Sequence, residues 1–297
     1  MTTSLPAPSR PFGFRHRDRA RFVASYVKDK TVGMVTDVRS HRLRLTAYEW
    51  SYSVARFAGR RPAPLRGLGI DEVDSRFGRF AVRPGTIDAA CASPAFERPD
   101  VDRLLAELDR YRAAGRTVTF LDIGADLGTY TVTVARHDPA VTVVAFEPAY
   151  DSHDLLARNV ELNGVADRVH RVRVACGDGS VDRLLLTFDA EEPGSSGVRA
   201  DLVGGARREQ VAVTTVDATL ADLPEVRADD VVVLKLDVEG YEVPALDGAL
   251  ATTTGAAEAL LLVEDFVDHA VVGYLQATGW TFVDKLTPYN SFWRRTR

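Results

Sequence analysis

At 297 residues and 45% apolar content, the chain can bury one large core, either as one domain or as a domain with a substantial extension. Its net charge of -5 is unevenly placed: residues 1–66 hold 14 Lys/Arg and 4 Asp/Glu, which leaves 23 basic and 38 acidic residues for the remainder. No apolar run reaches the roughly 18 residues of a membrane-spanning helix, and the start, MTTSLPAPSRPFGF, lacks a basic-then-apolar leader pattern. Only Cys91 and Cys176 are present, so neither a disulfide framework nor a cysteine zinc site is expected, and a reducing, cytoplasmic setting follows.

In chain order, residues 1–14 are rich in Pro and Ser. Arg15 to Lys28 spaces Phe22, Val23, Tyr26 and Val27 as an amphipathic helix under an arginine-rich face. His41 to Val54 alternates like strands, and Arg60 to Pro64 reads as a linker. Phe77 to Val82 predicts a short strand before the Pro84-Gly85 turn. These elements make a basic α+β extension, residues 1–98, suited to the substrate side or to docking on a second copy of the chain. From Pro99 a helix with Leu104, Leu105, Leu108 and Tyr111 on one face runs to a Gly115 stop and opens the main domain, 99–297.

The main domain is organised around Val118 to Gly128, VTFLDIGADLG. A β-branched and aromatic run stopped by glycines predicts a buried parallel strand, a bare-backbone loop and a helix N-terminus at Thr129. The spacing Gly124-x-Asp126-x-Gly128 departs from the G-x-G-x-x-G dinucleotide fingerprint. Asp122 and Asp126 would repel a pyrophosphate and suit a ligand carrying an ammonium and a sulfonium. The next strand, Val141 to Phe146, ends in Glu147 and Pro148, and a carboxylate there can accept both hydroxyls of a ribose. Together these favour S-adenosylmethionine over a nicotinamide dinucleotide.

The rhythm continues with a helix from Ala149 to Leu162, a third strand from Val169 to Ala175, and Asp178 just beyond in a Gly-Asp-Gly turn. Arg183 to Phe188 and Gln210 to Thr215 predict extended arms around a polar, Gly-rich loop, Glu191 to Arg208. A fourth strand, Asp230 to Leu236, precedes a helix from Tyr241 to Leu250, and a fifth spans Ala259 to Val263. A helix from Asp268 and a hairpin of Trp280–Leu286 with Ser291–Arg295 close the chain. Strand and helix alternating in this way imply an α/β fold with a parallel sheet covered on both faces.

Val231 to Glu242, VVVLKLDVEGYE, is the second chemical stretch. A lysine followed by an aspartate should not end an apolar strand without reason, since an unpaired buried charge is costly. Groups at the carboxyl ends of parallel strands face the ligand crevice, which accounts for Lys235, Asp237 and Glu239. This block, with the Phe120–Gly128 loop, Phe146-Glu147-Pro148, Asn159, Asn163 and Val216–Leu220, resembles the FkbM family of S-adenosylmethionine-dependent methyltransferases over about residues 100–297. The resemblance implies a Rossmann-like, class I methyltransferase sheet of seven strands, mostly parallel and closed by the antiparallel hairpin. It also implies O-methylation of a hydroxyl on a sugar or specialised metabolite, as in antibiotic biosynthesis. Asp126 departs from the family's usual asparagine, and Val216-Asp217-Ala218-Thr219-Leu220 scrambles its usual order, so no role passes to Asp217.

The resemblance and strand-end placement assign the cofactor to Asp122, Gly124, Asp126, Gly128 and Thr129, to Glu147 and Pro148 at the ribose, and to Asp178 near the adenine. Asp178 can equally be a turn aspartate. Asp237, Glu264 and Asp265 end adjacent strands about 4.8 Å apart and can converge on one magnesium ion. Against the metal stands a direct positioning role for Asp237, with Glu264 and Asp265 paired to arginines or capping a helix. The catalytic candidates are Asp237, Glu239, Lys235 and His269. Two rival classes remain, a nucleic-acid methylase using the basic arm and a non-catalytic binding module. The first lacks the Asn/Asp-Pro-Pro-aromatic motif at the fourth strand, and neither cysteine follows a proline.

Overall fold

The computed structural model describes residues 69–188, 207–265 and 270–297. The helix and strands expected before residue 69, His269, and all but the last two residues of the Glu191–Arg208 loop lie outside them. The described chain opens with a hairpin of β1 (Glu72–Ser75) and β2 (Gly78–Ala81). One helical turn, α1 (Asp88–Cys91), leads to the long α2 (Arg98–Ala113). Val101, Leu104, Leu108 and Tyr111 form the apolar stripe of α2 and are almost fully buried. Pro99 lies in its first turn, and Gly115, at φ +66°, ends it as a left-handed residue.

Strand and helix then alternate through β3 (Val118–Ile123), α3 (Thr129–His137), β4 (Thr142–Phe146), α4 (Tyr150–Leu162) and β5 (Val169–Val172). A small outlying sheet follows, with β6 (Ala175–Cys176) and β7 (Arg183–Phe188) on either side of β8 (Arg207–Thr214). After α5 (Val216–Ala221) come β9 (Val231–Leu236), α6 (Glu242–Asp247), α7 (Leu250–Gly255), β10 (Glu258–Glu264) and α8 (Ala270–Ala277). β11 (Thr281–Asp284) and β12 (Asn290–Thr296) form the closing hairpin.

The main sheet has seven strands in the order β11-β12-β10-β9-β3-β4-β5. Five consecutive strands, β10-β9-β3-β4-β5, run parallel, and β12 joins antiparallel to β10. This is the class I methyltransferase arrangement expected from the sequence. The chain steps outward from β3 through β4 and β5, then returns to lay β9 on the other side of β3. That reversal opens a crevice at the carboxyl ends of β3 and β9, where α/β sheets bind ligands.

Period-two alternation sorts the strands into two buried layers. Phe120, Val233 and Leu262 face a layer that includes Leu104, Leu108, Val132 and Leu156. Leu121, Leu234 and Leu261 face the other, with Leu246, Val271 and Leu275. Each such side chain contributes about 1.5–3 kcal/mol on burial. Two residues further along the first face come Asp122, Lys235 and Glu264, so the sheet that builds the core also delivers three ionisable groups to one side of the crevice.

Residues of the β1–β2 hairpin belong to the same core, with Val73, Phe77 and Phe80 packed in the layer of Phe120. Asn159 clamps this hairpin to α4: its Oδ1 accepts from Ala81 N at 2.7 Å, and its Nδ2 donates to Leu127 O at 2.8 Å and Ala81 O at 3.2 Å. Asn163 does the same for both backbone groups of Arg79. Two expectations need correction. The third strand stops at Val172, because Ala175 and Cys176 leave the main sheet to pair with β8. The helix expected over Tyr241–Leu250 is broken at Gly248, which passes so close to Gly177 that a Cβ would lie 1.9 Å from its carbonyl oxygen.

Candidate active site

The glycine loop is shaped by what passes beside it. Gly124 adopts φ +83°, and a Cβ there would lie 1.9 Å from the Asp237 carbonyl oxygen, so β3 and β9 can meet at their ends only with glycine at this position. Gly128, at φ +89°, lies against Leu156 and precedes α3. Between them Asp126 is left-handed at φ +44°. Its N–H donates to Glu147 Oε2 at 2.8 Å, while Glu147 Oε1 accepts from Ala149 N at 2.9 Å, on the far side of Pro148. Glu147 therefore ties the end of β4 to the loop. Burial, followed by the neighbouring Asp126, pushes its carboxyl up to about 8.

The Asp126 side chain turns away from the strand ends. Its Oδ1 accepts from Arg83 Nη2 at 2.9 Å and from Ser152 Oγ at 2.8 Å. The carboxylate that departs from the family pattern thus has a counter-charge supplied from the hairpin side. Thr129 donates its hydroxyl to Cys91 O at 3.1 Å, a packing contact that anchors the first turn of α3. Asp178 is exposed and accepts from Ser180 N at 2.9 Å, which holds its carboxyl below the ordinary range. That is the geometry of a turn aspartate, although Asp178 also raises the pKa of Tyr241 nearby, after burial.

The second cluster gathers at the ends of β3, β9 and β10. Lys235 Nζ donates to Asp237 Oδ2 at 2.9 Å, contacts Gly124 O at 3.4 Å, and stands 5.4 Å from the centroid of the Tyr130 ring. Burial opposes its charge, but Asp237, Asp122 and Glu97 together hold its pKa above the ordinary lysine range. These three acids favour the charged form of Lys235. Asp122 is buried, with Oδ2 accepting from Thr131 Oγ1 at 2.6 Å and Oδ1 without a hydrogen bond. Its place is under the loop, facing Lys235.

Asp237, Glu239 and Glu264 bring carboxylate oxygens within 4.8 Å of one another. Glu239 stands at φ +52°. Glu264 is pushed well above the usual carboxylate range by burial and then by Asp237, Glu239 and Glu97, and its Oε2 has no hydrogen-bond partner. The expected metal trio is corrected at one position. Asp265 is buried in an ion pair with Lys285 and faces away from this cluster, because the strand's alternation sends successive side chains to opposite faces. Glu239 is the third carboxylate of the cluster.

Three residues of the site were not anticipated. Glu97, at φ +38° at the head of α2, accepts from Tyr130 Oη at 2.7 Å, and burial raises its pKa while Lys235 opposes. Arg83 and Tyr130 complete the set. None stands in a spacing that sequence can read, since each reaches the crevice from an element whose pattern reports only packing.

Residues 122–262 match the methyltransferase FkbM domain. Over that range the chain is similar to FkbM methyltransferases. It is 31% identical over 147 residues to Methyltransferase 1 of Beauveria bassiana (strain ARSEF 2860), which covers 43% of this chain and 57% of that protein. It is 29% identical over 197 residues to the 31-O-demethyl-FK506 methyltransferase FkbM of Streptomyces tacrolimicus, covering 56% of this chain and 74% of that one. The match therefore spans less than two thirds of the fungal relative. Among solved structures, a methyltransferase from Geobacter sulfurreducens aligns over 66% of this chain and 78% of its own, with 16% identity and a TM-score of 0.37. The matched range contains the glycine loop, Glu147, Lys235, Asp237 and Glu239, while Arg83, Glu97 and Glu264 lie outside it. Among the described residues, no helix is long and apolar enough to cross a membrane.

Proposed function

We propose that this chain transfers a methyl group from S-adenosylmethionine to a hydroxyl of a small hydroxylated metabolite or sugar. The observation that carries the reading is the pairing, at one switch point, of a ribose-type carboxylate with an acid-lined crevice. Glu147 ends β4 beside the glycine loop; on the other side Lys235 pairs with Asp237 and feels Asp122, and Glu239 and Glu264 approach Asp237. A surplus of carboxylates suits a cationic cofactor and would repel a dinucleotide's pyrophosphate. The Streptomyces relative is named for 31-O-demethyl-FK506, an acceptor missing a methyl at an oxygen.

When bound, S-adenosylmethionine supplies an electrophilic methyl group on a sulfonium. The chain's own residues have three tasks. Glu147 accepts the ribose hydroxyls, and the 124–128 backbone receives the methionine end. Lys235 fixes Asp237 as a hydrogen-bond acceptor that orients the acceptor hydroxyl. Glu264, whose Oε2 has no hydrogen-bond partner and whose carboxylate lies close to that of Asp237, receives the hydroxyl proton once ionised.

A second reading is favoured by the mutual approach of the Asp237, Glu239 and Glu264 oxygens, which is a ligand set for magnesium. In that reading the cation lowers the hydroxyl's pKa and the need for a protein base falls. The test is methyl transfer from radiolabelled S-adenosylmethionine to panels of hydroxylated macrocycles, sugars and, as the rival class, transfer RNA and DNA. Label in a small-molecule hydroxyl supports the proposal, and label only in nucleic acid overturns it. Activity that survives excess chelator excludes magnesium and leaves Glu264 with the proton, whereas loss on chelation and recovery with magnesium assigns the trio to the metal.

A further inference from the structure

Arg83 stands between the β1–β2 hairpin and α1, outside the matched family domain, in the stretch Ala81-Val82-Arg83-Pro84-Gly85. Its guanidinium makes more directed contacts than a surface arginine needs. Nε donates to Asp88 Oδ2 at 2.7 Å and Nη2 to Asp88 Oδ1 at 3.0 Å, a two-pronged contact that fixes the plane of the group. Nη1 donates to Ser152 Oγ at 3.0 Å, and Nη2 also reaches Asp126 Oδ1 at 2.9 Å. Ser152 passes its own hydrogen to that same Asp126 oxygen at 2.8 Å, closing a ring of Arg83, Ser152 and Asp126. Asp88 and Ser152 are buried, and Arg83 and Asp126 are about a quarter exposed.

What this ring holds is the turn that shapes the glycine loop. Asp126 is left-handed at φ +44°, a conformation uncommon outside glycine that aspartate tolerates better than most and that the surrounding contacts hold here. Its side chain is held from one side by Arg83 and Ser152, and its N–H from the other by Glu147 Oε2. We propose that Arg83 is a positioning residue for the cofactor: by clamping Asp126 it presets the 124–128 backbone and the carboxylate of Glu147 in the geometry that receives the ligand. The hairpin segment therefore takes part in cofactor binding without touching it. This inference rests on the S-adenosylmethionine reading for its ligand, but the clamp itself can be tested in the free protein.

Two measurements separate the claims. Hydrogen exchange of residues 124–128 in the free chain reports the clamp alone, and calorimetric titration with S-adenosylmethionine reports its effect on binding. In Arg83→Ala, exchange at 124–128 should rise by about tenfold or more, and affinity should fall by about ten- to a hundredfold, the loss expected for a charge-assisted hydrogen bond. Arg83→Lys keeps the charge but loses the fork, and should fall between. Because the alanine variant can lose stability, the pair Arg83→Gln with Asp126→Asn provides a neutral ring. Its affinity loss should be smaller than the summed losses of its two single variants. Unchanged exchange and affinity in Arg83→Ala, or strictly additive losses in the pair, overturn the proposal. Absence of binding in the unmodified chain overturns the cofactor reading instead, and the exchange result then decides the clamp independently.

Discussion

Lys235 Nζ lies 2.9 Å from Asp237 Oδ2, two residues further along the same strand end. The period of two that puts apolar side chains of β9 into the core also sets these two on one side of the sheet, so the ion pair is a consequence of strand geometry. The lysine also interacts with Asp122 and Glu97, and its pKa is held up by all three acids.

Removing that charge while keeping the volume should therefore destabilise the fold. Lys235→Met is expected to cost about 3–5 kcal/mol, the penalty for leaving one partner of a buried pair uncompensated. Urea unfolding of the full chain measures it. A change within about 0.5 kcal/mol, the range of ordinary surface substitutions, would mean that the acids find another counter-charge.

A buried acid gives the stability of this chain a pH dependence of predictable sign. Asp100 is fully buried, accepts from Thr287 Oγ1 at 2.7 Å and Asn290 Nδ2 at 3.1 Å, and leaves Oδ1 without a partner. Burial, then Glu97, pushes its carboxyl up to about 8. A folded-state pKa above the unfolded value of about 3.9 means that the folded state binds more protons between those limits. The stabilising contribution is complete below about pH 4 and is lost as pH rises towards 8. Glu147 adds a slope of the same sign. Asp100→Asn keeps an acceptor for Thr287 and puts an amide where the proton sat, so unfolding measured from pH 5 to 8 should show a shallower decline. An unaltered slope would contradict the assignment of Asp100.

The sequence reading left Asp217 without a role, and the structure supplies one of stability. Its carboxylate accepts from Ala251 N at 2.9 Å, Thr252 N at 2.8 Å and Thr252 Oγ1 at 2.6 Å, and so satisfies the exposed donors at the start of α7. Asp217→Ala should lower stability by about 1–2 kcal/mol, as loss of a helix cap does. Cofactor affinity should not change. A fall in affinity with stability intact would instead place Asp217 in the binding machinery.

The main sheet and its charged strand ends were legible because both follow from local pattern. Val118–Ile123 and Val231–Leu236 are apolar runs broken by the residues that the crevice uses, and the closing hairpin has its own turn sequence. Contacts arriving from other elements were not legible. Asp265 and Glu264 are adjacent in sequence, and only alternation and the distant Lys285 decide that one joins the cluster while the other leaves it. Glu97 lies 138 residues before Lys235 in the chain, and its left-handed turn at the head of α2 has no marker in its neighbours. Arg83 looks like one more basic residue of a basic arm until Asp88, Ser152 and Asp126 are seen around it.

In the proposed function, Glu147 and the Gly124–Gly128 loop receive S-adenosylmethionine. Calorimetric titration of the full chain, beside Glu147→Ala with its fold verified by circular dichroism, tests it most directly. Saturable binding at one site per chain is expected, weakened in the variant by about 1–3 kcal/mol through loss of two ribose hydrogen bonds at about 0.5–1.5 kcal/mol each. No binding to the unmodified chain, or equal affinity in Glu147→Ala, would contradict it.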